Sequence, residues 1–231
     1  MSKNILVVGA SSGIGKVVAE QLIAAGHEVY TASRRDESPE GAHHINLDIT
    51  SDFSEIDGLP EELHGVVYCP GTINLKPFQR LSQEDFQHDF EVNVLGATKI
   101  LQAALKPLKK GKNGSVVLFS TVAVQSGMTF HASVAMAKGA IEGLTRSLAA
   151  EWVASNIRVN AIAPSLTDTP LAAQLLSTPE RKEASDKRHP LGRVGTSEEI
   201  ASMATYLLSD QASWITGQIF HLDGGMSVVR G

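Results

Sequence analysis

In the segment VVGASSGIG, Gly9, Gly13 and Gly15 stand between an apolar run and a helical pattern, with Ser11, Ser12 and Ile14 among them. Glycine lets the backbone turn sharply and approach a ligand that a Cβ would block. A helix N-terminus offers unpaired N–H groups and a favourable dipole to a phosphate. Following the first strand of a strand–helix–strand unit, these residues point to a dinucleotide pyrophosphate; a plain tight turn is the other reading. The next apolar run ends in ASRRD, with Ser33 where an acidic side chain would hold the ribose hydroxyls of NAD, followed by Arg34 and Arg35. Arginine pairs bidentately with phosphate, so the segment suits the extra phosphate of NADP, with Arg34 the first contact and Arg35 the second. A solvated arginine pair at a strand end is the alternative.

The elements that position these residues alternate. Short β-branched runs recur at 4–9, 28–33, 65–69, 115–120, 157–163 and 218–223, continuous in apolar character as in a sheet covered on both faces. Between them, Phe86, Phe90, Ala97, Leu101, Ala104 and Leu108 follow helical spacing, as do Ala137, Ile141, Leu144, Leu148 and Trp152. This alternation predicts an α/β fold: a Rossmann-like, doubly wound parallel sheet of about seven strands with helices on both faces. The length of 231 residues fits one domain spanning 1–231. Residues 165–195 are polar and proline-punctuated, and are expected to form a lid over a small-molecule substrate.

The spacing G-x-x-x-G-x-G, together with NLDIT, VNVLG, GAIEGLTRSLAAEW, IRVNAIAP and the tail GRVGTSEEIASMATYLLSDQASWITGQIFHLDGG, resembles the short-chain dehydrogenase/reductase family nearly end to end. The resemblance implies a nicotinamide cofactor, NADPH in preference to NADH. It assigns Asp48 to the adenine and Gly71 to the crevice wall. Pro164 and Thr169 of APSLTDTP fall beside the nicotinamide, with Ser165 in place of a glycine. The family's catalytic set is an asparagine, a serine, a tyrosine and a lysine. Asn93 and Lys138 match, Thr121 keeps the hydroxyl of the serine with Ser120 as its neighbour, and Lys138 also holds the nicotinamide ribose. Asn93 lies on the apolar stripe, so its amide must find partners inside; a merely structural amide is the other reading.

Val134 stands four residues before Lys138, at the position the family gives to tyrosine. It has neither donor nor acceptor. General acid–base assistance contributes about a hundred to ten thousand-fold, so another group must serve or the protein is slow. His131, three residues earlier, is the first candidate for a catalytic role. Ser133, a water held by Lys138 and Asn93, and Tyr68 at the end of its strand come after it. The expected activity is an NADP(H)-dependent oxidoreductase acting on a small carbonyl, alcohol or activated alkene with a nonstandard proton donor. The alternatives are a catalytically inactive NADP(H)-binding protein and a dinucleotide-using isomerase or dehydratase.

Other classes fit poorly. The formal charge is −5 with no basic stripe, so no nucleic-acid partner is expected. No apolar run approaches the roughly 18 residues of a membrane helix. The single cysteine, Cys69, and an N-terminus without a leader-like apolar core suggest a reducing cytoplasm. His43 and His44 are adjacent, so in a strand they point to opposite faces, and no metal site is expected. No nucleophile elbow follows a strand, which argues against a hydrolase. The small-residue face of GAIEGLTRSLAAEW is expected to form a helix-to-helix contact in a homodimer or homotetramer.

Overall fold

The computed structural model describes residues 2–229. Its centre is a parallel seven-stranded sheet. The strands are β1 (Asn4–Val8), β2 (Glu28–Ser33), β3 (His43–Asn46), β4 (Gly65–Tyr68), β5 (Ser115–Phe119), β6 (Arg158–Pro164) and β9 (Ile219–Leu222), in the order β3-β2-β1-β4-β5-β6-β9. Two short strands, β7 (Thr167–Asp168) and β8 (Gly195–Thr196), pair with each other outside it. The six apolar runs all became strands; β3 is the one they omitted. His43 and His44 make β3 too polar to read as a strand by hydropathy. It is held by its register with β2, in which Tyr30 faces His43 and Thr31 faces His44.

Side-chain alternation along the strands divides the core into two layers. Leu6, Val8, Val66, Tyr68, Val116 and Leu118 face α3 (Gly96–Gly111) and α5 (Ala132–Trp152). Ile5, Val7, Val67, Val117 and Phe119 face α1 (Gly13–Ala24) and α7 (Ser197–Leu208). A strand sealed on both sides needs apolar residues at every position, which is why these runs are continuous rather than alternating.

The long helical stripe from 83 is divided. Ser82 caps α2 (Gln83–Phe90) through a capping box with Asp85; a π turn, Glu91–Leu95, follows, and α3 continues from it. The Val92 carbonyl in this wider turn accepts the Tyr68 hydroxyl at 2.6 Å. After β6 the chain makes its excursion through β7, a 3-10 segment at Pro170–Leu176 and α6 (Pro179–Asp186), returning at β8. Thr178 caps α6 and Pro179 takes its first turn, so the stretch that looked least regular contains a well-started helix.

Candidate active site

The chain order reverses about β1, whose neighbours are β2 on one side and β4 on the other, and the crevice opens at the carboxyl ends of these strands. Gly9 and Gly13 have φ of +81° and +55°, which side-chain-bearing residues rarely adopt. Gly15 is required for a different reason: a Cβ there would lie 2.4 Å from the Gly9 carbonyl oxygen. Ser12 begins α1 without a side-chain capping bond, which leaves the first-turn amides without a side-chain acceptor. A recess of about 730 Å³ extends from this loop, lined by Ser11, Ser12, Arg34, Arg35, Asp48 and Gly71 among others. Arg34 and Arg35 are exposed at the rim. One oxygen of Asp48 accepts from the Thr50 amide and hydroxyl at 2.9 and 2.7 Å, and these bonds hold its carboxyl below the usual range.

The recess shares Gly71 and Thr72 with a second, more apolar cleft of about 750 Å³. Ile14, Thr121, His131, Val134, Lys138, Pro164 and Thr169 line the cleft. At its floor Lys138 is buried and donates to the Phe119 carbonyl at 2.8 Å. Burial pushes its ammonium down to about 8, while the same burial pushes the adjacent Cys69 thiol up to about 12. Asn93 is fully buried, its amide donating to Thr72 Oγ1 at 2.9 Å and to the Asp89 carbonyl at 2.7 Å. Thr72 in turn donates to Asp89 Oδ1 at 2.6 Å. Asn93 Oδ1 and Asp89 Oδ2 are buried acceptors with no donor among the described residues, the kind of pair that ordered water satisfies. A Cβ on Gly71 would meet Asn93 Oδ1 at 3.3 Å and Lys138 Nζ at 3.5 Å. These three residues therefore converge on one point where the cleft and the recess join.

The other site residues read from the sequence fall around this point. Gly13 packs against Thr169, whose Cβ would be 3.6 Å from an added Cβ, so the glycine loop before α1 and the segment after β6 meet directly. Thr121 Oγ1 accepts from the Ala123 amide at 3.3 Å. Ser120 is turned toward buried Glu142, to which it donates at 2.9 Å. His131 is half-buried at the N-cap of α5 and its Nδ1 donates to the Thr129 carbonyl at 2.7 Å. Phe130 before it has φ +68°, a strained conformation that turns the chain into the helix at the cleft mouth.

Two candidates fail on geometry. Tyr68 is 2 % exposed and points into the α3 layer of the core. Its hydroxyl is spent on Val92, and burial holds its pKa well above the usual phenol range. Ser133 is likewise buried, and its hydroxyl has no partner among the described residues; it does not line the cleft. Several polar residues at the site are not marked by the sequence: Thr72, Asp89, the His189 partner of Ser165, Arg181 on α6 and Arg188 just after it. Ser165 itself carried a signal, as a hydroxyl where the motif has glycine.

Fold and crevice define a nucleotide-binding type of α/β protein, and comparison with known proteins specifies the family. The family model described as Enoyl-(Acyl carrier protein) reductase matches residues 9–227. A tropinone reductase homolog from Arabidopsis thaliana is 34% identical over 97% of this chain and 93% of its own length. The 3-oxoacyl-[acyl-carrier-protein] reductase FabG of Aquifex aeolicus is 31% identical over 96% of each chain. A short-chain type dehydrogenase/reductase from Mycobacterium ulcerans superimposes with a TM-score of 0.90 at 32% identity, covering 100% of this chain and 93% of that one. The structure of ElxO with NADP bound superimposes at 0.88 with 26% identity, over 98% and 99% of the two chains. The chain belongs to the short-chain dehydrogenase/reductase family of oxidoreductases.

Among the described residues no helix is long and apolar enough to cross a membrane.

Proposed function

We propose that the protein is an NADP(H)-dependent oxidoreductase that interconverts a small carbonyl compound and its alcohol, or reduces an activated alkene, without a tyrosine as proton donor. The observation that carries this reading is the continuity of the two cavities through Gly71 and Thr72. One offers a glycine cradle and two arginines, the other an apolar chamber with Lys138 and Thr121 on its wall. The cradle suits a pyrophosphate because a Cβ at Gly15 would collide with the loop. Arg34 and Arg35 suit a ribose phosphate because Ser33, bonded to the Arg35 carbonyl at 2.8 Å, presents no competing negative charge. ElxO, whose structure holds NADP, is a relative of the same fold.

When bound, the nicotinamide supplies the two-electron exchange with substrate carbon. In this reading Lys138 holds the nicotinamide ribose, Asn93 braces the wall behind Lys138, Asp48 borders the adenine, and Pro164 and Thr169 flank the carboxamide. Thr121 orients the substrate oxygen. Val134, 6 % exposed, shapes the chamber and moves no proton, so that task falls to another group at the cleft: His131, Lys138 or the Ser165–His189 pair. Residues 165–195 form the lid, and an apolar chamber beneath it excludes water from the reacting carbon.

The test is titration of the purified protein with NADPH and NADH, followed by a panel of carbonyl and enone substrates. Tight NADPH binding with turnover is the expected result. Binding without turnover on any substrate would make the protein a nucleotide-holding relative; no binding of either nucleotide would refute the reading.

A further inference from the structure

Of the groups at the cleft that could move a proton, the Ser165–His189 pair is built from two distant segments. Ser165 follows β6 directly, and His189 lies in the turn after α6, 24 residues later in the chain. Both line the cleft. The imidazole is only 3 % exposed. Its Nδ1 lies 2.8 Å from the Ser185 carbonyl, which can only accept, so Nδ1 carries the proton and Nε2 is left as an acceptor. Ser165 Oγ lies 2.9 Å from Nε2 and donates to it.

Both residues are held firmly. The Ser165 amide donates to Leu222 O at 3.2 Å, and its carbonyl accepts from Thr167 Oγ1 at 3.2 Å. The His189 amide donates to Asp186 O at 3.0 Å, and its carbonyl accepts from the Gly192 amide at 2.8 Å. A hydroxyl bonded to an imidazole whose tautomer is set by a third group is an arrangement that readies the hydroxyl for proton transfer. Of the other candidates at the cleft, Lys138 donates to the Phe119 carbonyl and His131, half-buried at the mouth, donates through Nδ1 to Thr129, while Thr121 accepts from the Ala123 amide and keeps its O–H for the substrate oxygen.

Resting on the oxidoreductase reading above, we propose that Ser165 exchanges the proton with the substrate oxygen and that His189 is the group through which Ser165 loses and regains it. In alcohol oxidation the substrate C–H bond breaks with its electron pair going to the oxidised nicotinamide. The substrate O–H proton passes to Ser165 Oγ as the Ser165 proton passes to His189 Nε2. The products are the carbonyl compound, the reduced nucleotide and a His189 imidazolium, which returns its proton to solvent. Reduction runs through the same positions in reverse. Ser165 is thus a catalytic residue, and His189 acts through it.

A latch that merely ties α6 to the end of β6 would use the same hydrogen bonds, so the variants must separate the two roles. His189→Gln keeps a side chain able to hydrogen-bond Ser165 but unable to take up a proton. The relay predicts a fall in kcat of about 100-fold or more with KM changed less than about threefold. Ser165→Ala should fall as far, and the double variant no further, because the two residues act as a unit. Placing a phenol beside Lys138 with Val134→Tyr should restore turnover to the Ser165→Ala protein. A readout independent of turnover is NMR of 15N-histidine-labelled protein, which should show His189 as the Nδ1–H tautomer with an Nε2 resonance that moves in Ser165→Ala. His189→Gln with kcat within threefold of wild type, or an Nε2–H tautomer at His189, overturns the relay and leaves the oxidoreductase reading standing. Wild type that binds NADPH yet turns over no substrate overturns both.

Discussion

Lys138 Nζ donates a hydrogen bond of 2.8 Å to the Phe119 carbonyl, so the helix that carries the cation is fastened to the last residue of strand β5. The ammonium is buried and its pKa is pushed down to about 8. Below that pH both folded and unfolded chains hold the proton and the fold bears the full cost of burying the charge. Between about 8 and the unfolded value of 10.5 the unfolded chain binds more protons, so Lys138 contributes stability as pH rises and loses it as pH falls through 8. In the nucleotide-free protein, the unfolding free energy of wild type relative to Lys138→Met should therefore improve from pH 7 to pH 10, by about 3 kcal/mol at most. Denaturant titrations of both proteins across that range check the sign; a constant difference would mean that the lysine is solvated.

Arg34 and Arg35 stand at the rim of the recess with Ser33 in place of an acid. Arg34→Ala should lower NADPH affinity by about 10- to 100-fold, the size of one or two charge-assisted hydrogen bonds, with little effect on NADH. Arg35→Ala should show a smaller change in the same direction. Fluorescence titration with the two nucleotides reads the ratio, and an unchanged ratio for Arg34→Ala would refute the phosphate assignment.

The two glycine positions differ in what they forbid. Gly15→Ala drives a methyl against the Gly9 carbonyl at 2.4 Å, so the loop must open and nucleotide binding should be lost, together with about 1–3 kcal/mol of stability. Gly71→Ala meets Asn93 Oδ1 at 3.3 Å and Lys138 Nζ at 3.5 Å. It should leave the fold nearly intact and weaken nicotinamide nucleotides more than adenosine phosphates. Calorimetric binding of NADPH against adenosine 2′,5′-bisphosphate distinguishes these outcomes.

Gly143 lies exposed on α5, and a Cβ there would meet nothing within 4 Å among the described residues. If α5 packs against its copy in a homodimer or homotetramer, Gly143→Arg costs the isolated chain little but blocks that contact. Light scattering at micromolar concentration should show wild type as a dimer or tetramer and the variant as a smaller species. A monomeric wild type would refute the assembly.

Local chemistry wrote much of this protein into its sequence. Continuous apolar runs became strands because both faces of the sheet are covered, and glycine spacing marked the sharp turn before α1 because backbone conformation is a property of single residues. Asn93 could be placed inside from its position on the helical stripe. The tertiary structure decided what depends on contacts between distant segments. The polar strand β3 exists because β2 offers it an edge. Tyr68 looked available at a strand end, but side-chain alternation sends it into the core beneath the π turn. Ser165 and His189 are 24 residues apart, and their hydrogen bond arises because α6 folds back over the end of β6. Thr72, Asp89 and Asn93 become one network only when the strand-end loop after β4 meets α2. Periodicity records which face of an element is buried; it does not record which polar groups meet once the faces close.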